Sequence, residues 1–237
     1  MRNLWAIAVK EVRSYFVSPV GYVAIAFWLF GVGLFFALGV LQSKQATMQD
    51  WFGTIEVLLL FIGPALTMRL LADEQRTGTL ELLLTSPVRD WEVVVGKFVG
   101  AVIFWLAMIV TTLVYPLILL LVGNPDLGPI FSGYVGLLLM GSCFLAIGVF
   151  TSSLTGNQVI AYIVAFIALL ALWIIGYLGP AVAPDLGTRL AALSVTSHFD
   201  DFTRGVIDLT NILFYVSIMA AALFAAIQIM ETRRARQ

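Results

Sequence analysis

The sequence predicts an all-α membrane protein with six transmembrane helices, and three observations carry that prediction. Charged residues number 13 Lys+Arg and 14 Asp+Glu in 237, or 11%, where a soluble domain carries about 25%. Apolar residues make up 61% and mean hydropathy is +1.00, more apolar surface than a soluble chain of this size hides. Six windows, 20–41, 52–71, 98–122, 129–150, 157–178 and 211–230, are each long enough to cross a bilayer, which takes about 20 residues in a helix. They run in Leu, Val, Ile, Phe, Ala and Gly without the period-two alternation of an outer-membrane barrel. Residues 1–237 therefore read as a single transmembrane domain.

The same composition excludes other classes. Hydrophobicity this high is incompatible with disorder. A net charge of −1 with no basic stripe argues against nucleic acid as a partner. A single cysteine, Cys143, and a single histidine, His198, leave no intrachain disulfide, no Cys-built zinc site and no His cluster.

Residues 2–16 precede the first span. Leu4, Ala8, Val12 and Tyr15 form one helical stripe, widened by Trp5, Val9 and Phe16, with Arg2, Lys10 and Arg13 as the polar complement. This reads as a basic amphipathic helix lying in the membrane interface; the alternative is a simple extension of the first span into water. Ser18-Pro19 breaks that helix before the span begins. The first span is too long for a signal-peptide core and is read as retained. In the second span Glu56 and Arg69 lie near opposite ends, at headgroup level, Arg69 by snorkelling; Gly63 and Pro64 between them suit a kink. Glu56, as the candidate intramembrane acid, invites a functional reading, but its place about one turn from the window's edge favours an interfacial one. Tyr115-Pro116 marks a kink in span three. Gly31, Gly33 and Gly39 in span one, and Gly133, Gly136, Gly141 and Gly148 around span four, allow close helix approach.

Basic residues set the orientation. One side carries ten: Arg2, Lys10, Arg13, Arg69, Arg76, Arg89, Lys97, Arg233, Arg234 and Arg236; the other carries Lys44, Arg189 and Arg204. The ten-rich side, with both termini, is expected in the cytoplasm. Its longest connection, 72–97, holds five acids and three bases. There Gly78 permits a tight turn, Thr79 is an N-cap, Glu81 sits in the first turn where an anion is favoured, and Leu80, Leu83 and Leu84 share a face. Pro87 stops this short helix. An exposed Leu face wants a protein partner, or else packs on the chain's own spans or the bilayer. The longest outer connection, 179–210, is expected to form one or two short helices against the outer ends of the spans.

Catalytic chemistry is not visible. A phosphate loop needs Gly-x-x-x-x-Gly-Lys-[Ser/Thr]; Gly96-Lys97 is followed by Phe98, with Trp91 where the first glycine belongs. His198 beside Asp200 and Asp201 superficially suggests a metal or an acid/base pair, but a lone histidine in an acidic loop is more often surface. Ser197-His198 is not a nucleophile elbow.

The pattern Glu74-x-x-x-Gly78-Thr79-x-Glu81-x-Leu83-x-x-x-Pro87, between two spans, resembles the cytoplasmic loop of ABC-2 type permeases. Lys10-Glu11 with Tyr15-Phe16-x-Ser18-Pro19-x-Gly21-Tyr22, and Phe202-x-Arg204-Gly205-Val206-Ile207-Asp208, resemble the gliding-motility-associated branch of that family. The resemblance covers essentially the whole chain. It implies a half-transporter in the bacterial inner membrane that pairs with a second permease copy or a paralogue. Two separate ATP-binding subunits dock below it and bind the ATP and Mg, so this chain needs no cofactor and is not itself an enzyme. It implies that Glu74, Gly78, Thr79, Glu81, Leu83 and Pro87 belong to a coupling helix seated in the ATPase. It makes the N-terminal helix, with Trp5, Lys10, Arg13 and Phe16, an interfacial elbow. That branch is also associated with an extracytoplasmic auxiliary protein, for which 179–210 is the natural contact. The function implied is export; the alternative is a mechanotransmission or assembly subunit that drives an outer protein without moving a substrate.

Overall fold

The computed structural model describes residues 2–43, 47–78, 88–178 and 192–234. Within them every regular element is a helix: α1 (Arg2–Val17), α2 (Pro19–Ser43), α3 (Gln49–Thr67), α4 (Ala72–Thr77), α5 (Asp90–Thr111), α6 (Val114–Val122), α7 (Leu127–Leu154), α8 (Gln158–Leu178), α9 (Val195–Thr203) and α10 (Leu209–Arg234). Six stretches are long and apolar enough to cross a membrane: Gly21–Leu41, Gln49–Thr77, Asp90–Val122, Leu127–Leu154, Gln158–Gly176 and Leu209–Arg234. Each overlies one of the six predicted windows.

The elbow between α1 and α2 falls at Ser18, where Pro19 cannot continue the hydrogen-bond ladder. The turn is tight enough that a methyl group on Gly21 would strike the Tyr15 carbonyl. α1 then lies along α5, and two glycines make room for it. Side chains at Gly96 and Gly100 would run into Ile7, the Leu4 carbonyl, Glu11 and the Ala8 carbonyl. This Gly-x-x-x-Gly step is a close-packing device. Tyr15 stacks on Phe104 of α5 with ring centroids 4.5 Å apart, and Phe16 meets the same ring edge-on at 5.3 Å. Trp5, Val9, Lys10 and Arg13 remain exposed.

α7 is the hub, in contact with α3, α5, α8, α9 and α10. It is apolar on all sides and buried almost continuously from Met140 to Val149, the pattern of a helix surrounded by others. Four of its five glycines lie where neighbouring helices come close. A methyl at Gly133 would overlap the Phe52 ring, at Gly136 Phe202, at Gly141 the Trp105 indole and at Gly148 the Thr67 hydroxyl. Gly31 and Gly33 of α2 likewise meet Leu58 and Tyr115, whereas a methyl at Gly39 would meet no other side chain among the described residues.

Of the two expected irregularities, the one in span three is a break between helices. α3 runs through Pro64 and ends at Thr67, whose hydroxyl donates back to the Gly63 carbonyl at 2.9 Å. The third span divides into α5 and α6 at Thr112-Leu113, four residues before Pro116. Proline has no N–H for the carbonyl of residue i−4, here Thr112, and that oxygen accepts from Tyr115 N and from the Tyr134 hydroxyl, each at 3.0 Å.

Contacts between helices define the two ends of the bundle. α1, α4, the start of α5, the end of α7 and the end of α10 meet at one, which carries the described basic residues Arg2, Lys10, Arg13, Arg69, Arg76, Arg89, Lys97, Arg233 and Arg234; we call it the basic end. At the other, α9 covers α7 and α10. Ser132 donates to the Phe202 carbonyl at 2.6 Å, and Tyr215 donates to the Val195 carbonyl at 2.8 Å. α9 is the described part of the expected outer helices; residues 179–191 lie outside the described residues.

Candidate functional site

Three charged side chains from three elements converge at the basic end. Lys97 of α5 is 3% exposed. Its Nζ lies 2.8 Å from Glu74 Oε1 on α4 and 3.7 Å from Glu11 Oε1 on α1. Charges are tolerated at such burial only when paired, and here one ammonium serves two carboxylates. The shares are unequal. Lys97 is within hydrogen-bonding range of Glu74, while Glu11, farther away, has its pKa raised above the usual glutamate value by burial, with Lys97 opposing and Glu74 adding to the rise. The second Glu74 oxygen, Oε2, is buried and has no hydrogen bond among the described residues.

α4 is only six residues long, too short to be stable alone, and its neighbours supply what it lacks. Its first amides are orphan donors. Ser152, at the end of α7, accepts from Leu71 N at 3.1 Å and Ala72 N at 3.0 Å, and donates to the Met68 carbonyl at 3.2 Å. It acts as an N-cap supplied by another helix. The exchange is mutual: Gln75 of α4 donates to the Ser153 carbonyl at 3.0 Å, one of the orphan acceptors at the end of α7. Gln75 also accepts from Arg233 of α10 at 2.9 Å, and Arg233 donates to the Leu154 carbonyl at 3.0 Å. Asp73 is bonded to Gln158 of α8. Gly78 ends α4 at φ 71°, a left-handed position that glycine takes without a Cβ penalty.

The chain re-enters the described residues at Val88. Arg89 N donates to Glu92 Oε2 at 3.2 Å across the first turn of α5, and Arg234 pairs with Asp90 at 3.0 Å. Both flanks of 79–87 are thus fastened to the bundle. Of the residues singled out from the sequence, Glu74 and Gly78 stand at this site, while Thr79, Glu81, Leu83 and Pro87 lie outside the described residues. Lys97, Ser152, Gln75 and Arg233 were not anticipated. Gly96-x-x-x-Gly100 was the available signal for where α1 sits, and hence for Glu11 beside Lys97; the serine and glutamine left none.

At the opposite end a cleft of about 810 Å³ opens between α3, α9 and the end of α8, with Glu56, Thr196, Asp200 and Arg204 on its walls. Glu56 corrects the sequence expectation. α3 begins at Gln49, so Glu56 stands two turns inside it, 4% exposed and not at the helix edge. Asp200, at the cleft mouth, has its pKa raised by partial burial and by Asp201, against the lowering effect of Arg204. His198 is a packing residue: its ring stacks on Phe214 with centroids 3.8 Å apart and Nδ1 lies 2.8 Å from the Ser194 carbonyl. The motif 202–208 has a physical reading as well. Phe202 is fully buried, Gly205 turns the chain at φ 95°, and Asp208 caps α10 by accepting from Thr210 N at 2.8 Å.

Comparison with known proteins agrees with this architecture. A family model described as "ABC-2 family transporter protein" matches residues 5–233. Two proteins described as "Probable multidrug ABC transporter permease YbhR", from Escherichia coli K12 and O157:H7, are each 28% identical over 179 residues. The match covers 70% of this chain and 48% of theirs, so the chain spans about half the length of these curated relatives. With the family model matching nearly the whole chain across all six apolar helices, this multi-pass membrane protein belongs to the ABC-2 family of transporter permeases.

Proposed function

We propose that the chain is the membrane-spanning subunit of an ATP-driven exporter, with ATP hydrolysed by separate subunits docked against residues 79–87. The observation that carries this is the Glu11–Lys97–Glu74 junction. A displacement applied just beyond Gly78 reaches α4 first. From α4 it passes to α5 and α1 through Lys97, to α7 through Ser152 and Gln75, and to α10 through Arg233. A short helix tied to that many spans is suited to act as a lever, moving the spans between two arrangements as the ATPase changes state. Thr79, Glu81, Leu83 and Pro87 would form the seat itself.

The excess of basic residues at this end supports placing it, with both termini, in the cytoplasm of a bacterial inner membrane. The amphipathic α1, with Trp5, Lys10, Arg13 and Phe16, would be the interfacial elbow. A second permease copy or paralogue would complete the transporter. The description of the relatives as probable multidrug permeases supports transport, as does the cleft around Glu56, over a purely mechanical role driving an extracytoplasmic partner.

The test is Glu74→Gln in the assembled transporter. It removes the negative charge that Lys97 faces at 2.8 Å and leaves Glu11 as the carboxylate paired with it. Permease-stimulated ATP hydrolysis and transport should both fall by about tenfold or more, the worth of one buried charge-assisted contact, with helix content unchanged. Stimulation equal to wild type would overturn the coupling role of Glu74.

A further inference from the structure

An apolar cleft of about 420 Å³ opens between the α1–α2 elbow, α3 and α8, within the size range of ligand pockets, about 300–1,000 Å³. Its polarity is graded along the bundle. Away from the basic end its walls are Ala24, Phe27, Phe61 and Ala65; toward it they are Tyr162, Ser14, Glu11 and Arg69. Arg69 follows Phe61 by eight positions, the last two beyond the end of α3, a depth of about 12 Å at the helical rise.

Arg69 is exposed, and its guanidinium makes no ion pair or hydrogen bond among the described residues. Glu11, the acid on the same wall, lies 3.7 Å from Lys97, which it shares with Glu74, and Arg69 is the one base among the residues lining the cleft. The roof is fixed: the Tyr15 hydroxyl donates at 2.6 Å to the Leu66 carbonyl, which the end of α3 at Thr67 leaves without a helical donor. The cleft is therefore a shaped space between helices, with an apolar interior and, at its mouth, a guanidinium that has no partner among the described residues.

We infer that this cleft holds one anionic phospholipid of the adjoining leaflet, its acyl chain between α2, α3 and α8 and its phosphate on Arg69. Guanidinium matches phosphate in a bidentate fork, and an apolar slot at this depth takes a chain that would otherwise lie among lipids. The inference is independent of how the ATPase couples, so it stands or falls separately from the exporter reading.

The experiment uses the full chain purified in detergent and exposed to mixed micelles containing either phosphatidylglycerol or phosphatidylcholine, with retained lipid counted by native mass spectrometry. Wild type should retain one phosphatidylglycerol in preference to phosphatidylcholine. Arg69→Gln should weaken that retention by about tenfold or more, and Ala65→Phe, which fills the slot, should abolish it. Arg69 is exposed, so its variant folds even if Ala65→Phe does not. Glycerol phosphate, the headgroup without chains, should not displace the lipid. Equal retention of both lipids by wild type, undiminished retention by Arg69→Gln, or full displacement by glycerol phosphate would each overturn the assignment.

Discussion

At the basic end, Glu11 and Glu74 are held around Lys97, and the helices that carry them are laced together by Ser152, Gln75 and Arg233. At the opposite end, Glu56 and Asp200 line an open cleft with Arg204 beside them, and no ion pair among the described residues closes it. Both ends place carboxylates in an apolar protein, yet one uses them to fasten helices and the other leaves them facing a space. The contrast follows from where the counter-charge lies: Lys97 stands between Glu11 and Glu74 at the fastened end.

The largest effect should come from removing that counter-charge. Lys97→Met strands two carboxylates that are each mostly covered and should cost about 3 kcal/mol, read from unfolding of the purified chain in mixed micelles. Adding Glu11→Gln and Glu74→Gln to Lys97→Met should restore most of the loss, because an uncharged trio no longer bears the penalty. A single variant as stable as wild type would mean that the carboxylates do not depend on Lys97.

Ser152→Ala tests the lacing without touching charge. Two amides, Leu71 N and Ala72 N, lose their acceptor, which should cost about 1–2 kcal/mol. Amide exchange should quicken at Leu71, Ala72 and the rest of α4, and stay unchanged in α9. Exchange that rose equally at both ends would show that the basic end is not fastened locally.

Much of this fold is legible in the sequence because a bilayer tolerates few charges, so every apolar window overlies a spanning stretch. The boundaries differ where tertiary contacts overrule hydropathy. The window for span three starts at 98, yet α5 begins at Asp90; Lys97 interrupts the apolar run but is neutralised by Glu74, and Gly96 and Gly100 let α1 cover that stretch. Glu56 was placed at an edge because the window opened at 52, while α3 begins at Gln49 and draws it inward. Glu74 and Gly78 were legible through the family pattern. Lys97, Ser152 and Arg233 were not, since their partners lie on helices far away in sequence, and no local spacing encodes such pairings.

The smallest effect, and the one most specific to the open end, is the pH response of Asp200. Its folded-state pKa is raised, first by partial burial and then by Asp201, with Arg204 opposing. A carboxyl whose pKa rises on folding favours the folded state below its ordinary pKa, and that contribution is lost as pH rises through the raised value. Asp200→Asn removes the charged form altogether. The variant should therefore melt slightly higher than wild type at neutral pH, and the gap should close as pH falls below the ordinary aspartate value of about 4. Asp208→Asn supplies the contrast at the same end. Hydrogen bonds from Thr210 hold the Asp208 carboxyl below its usual value, so its charge favours folding above the ordinary pKa, and losing it should lower the melting temperature at neutral pH. Opposite signs at two aspartates of one acidic face would show that the cleft side retains an uncompensated charge. Equal signs would remove Asp200 from the cleft's electrostatics and leave the difference between the two ends resting on Lys97 alone.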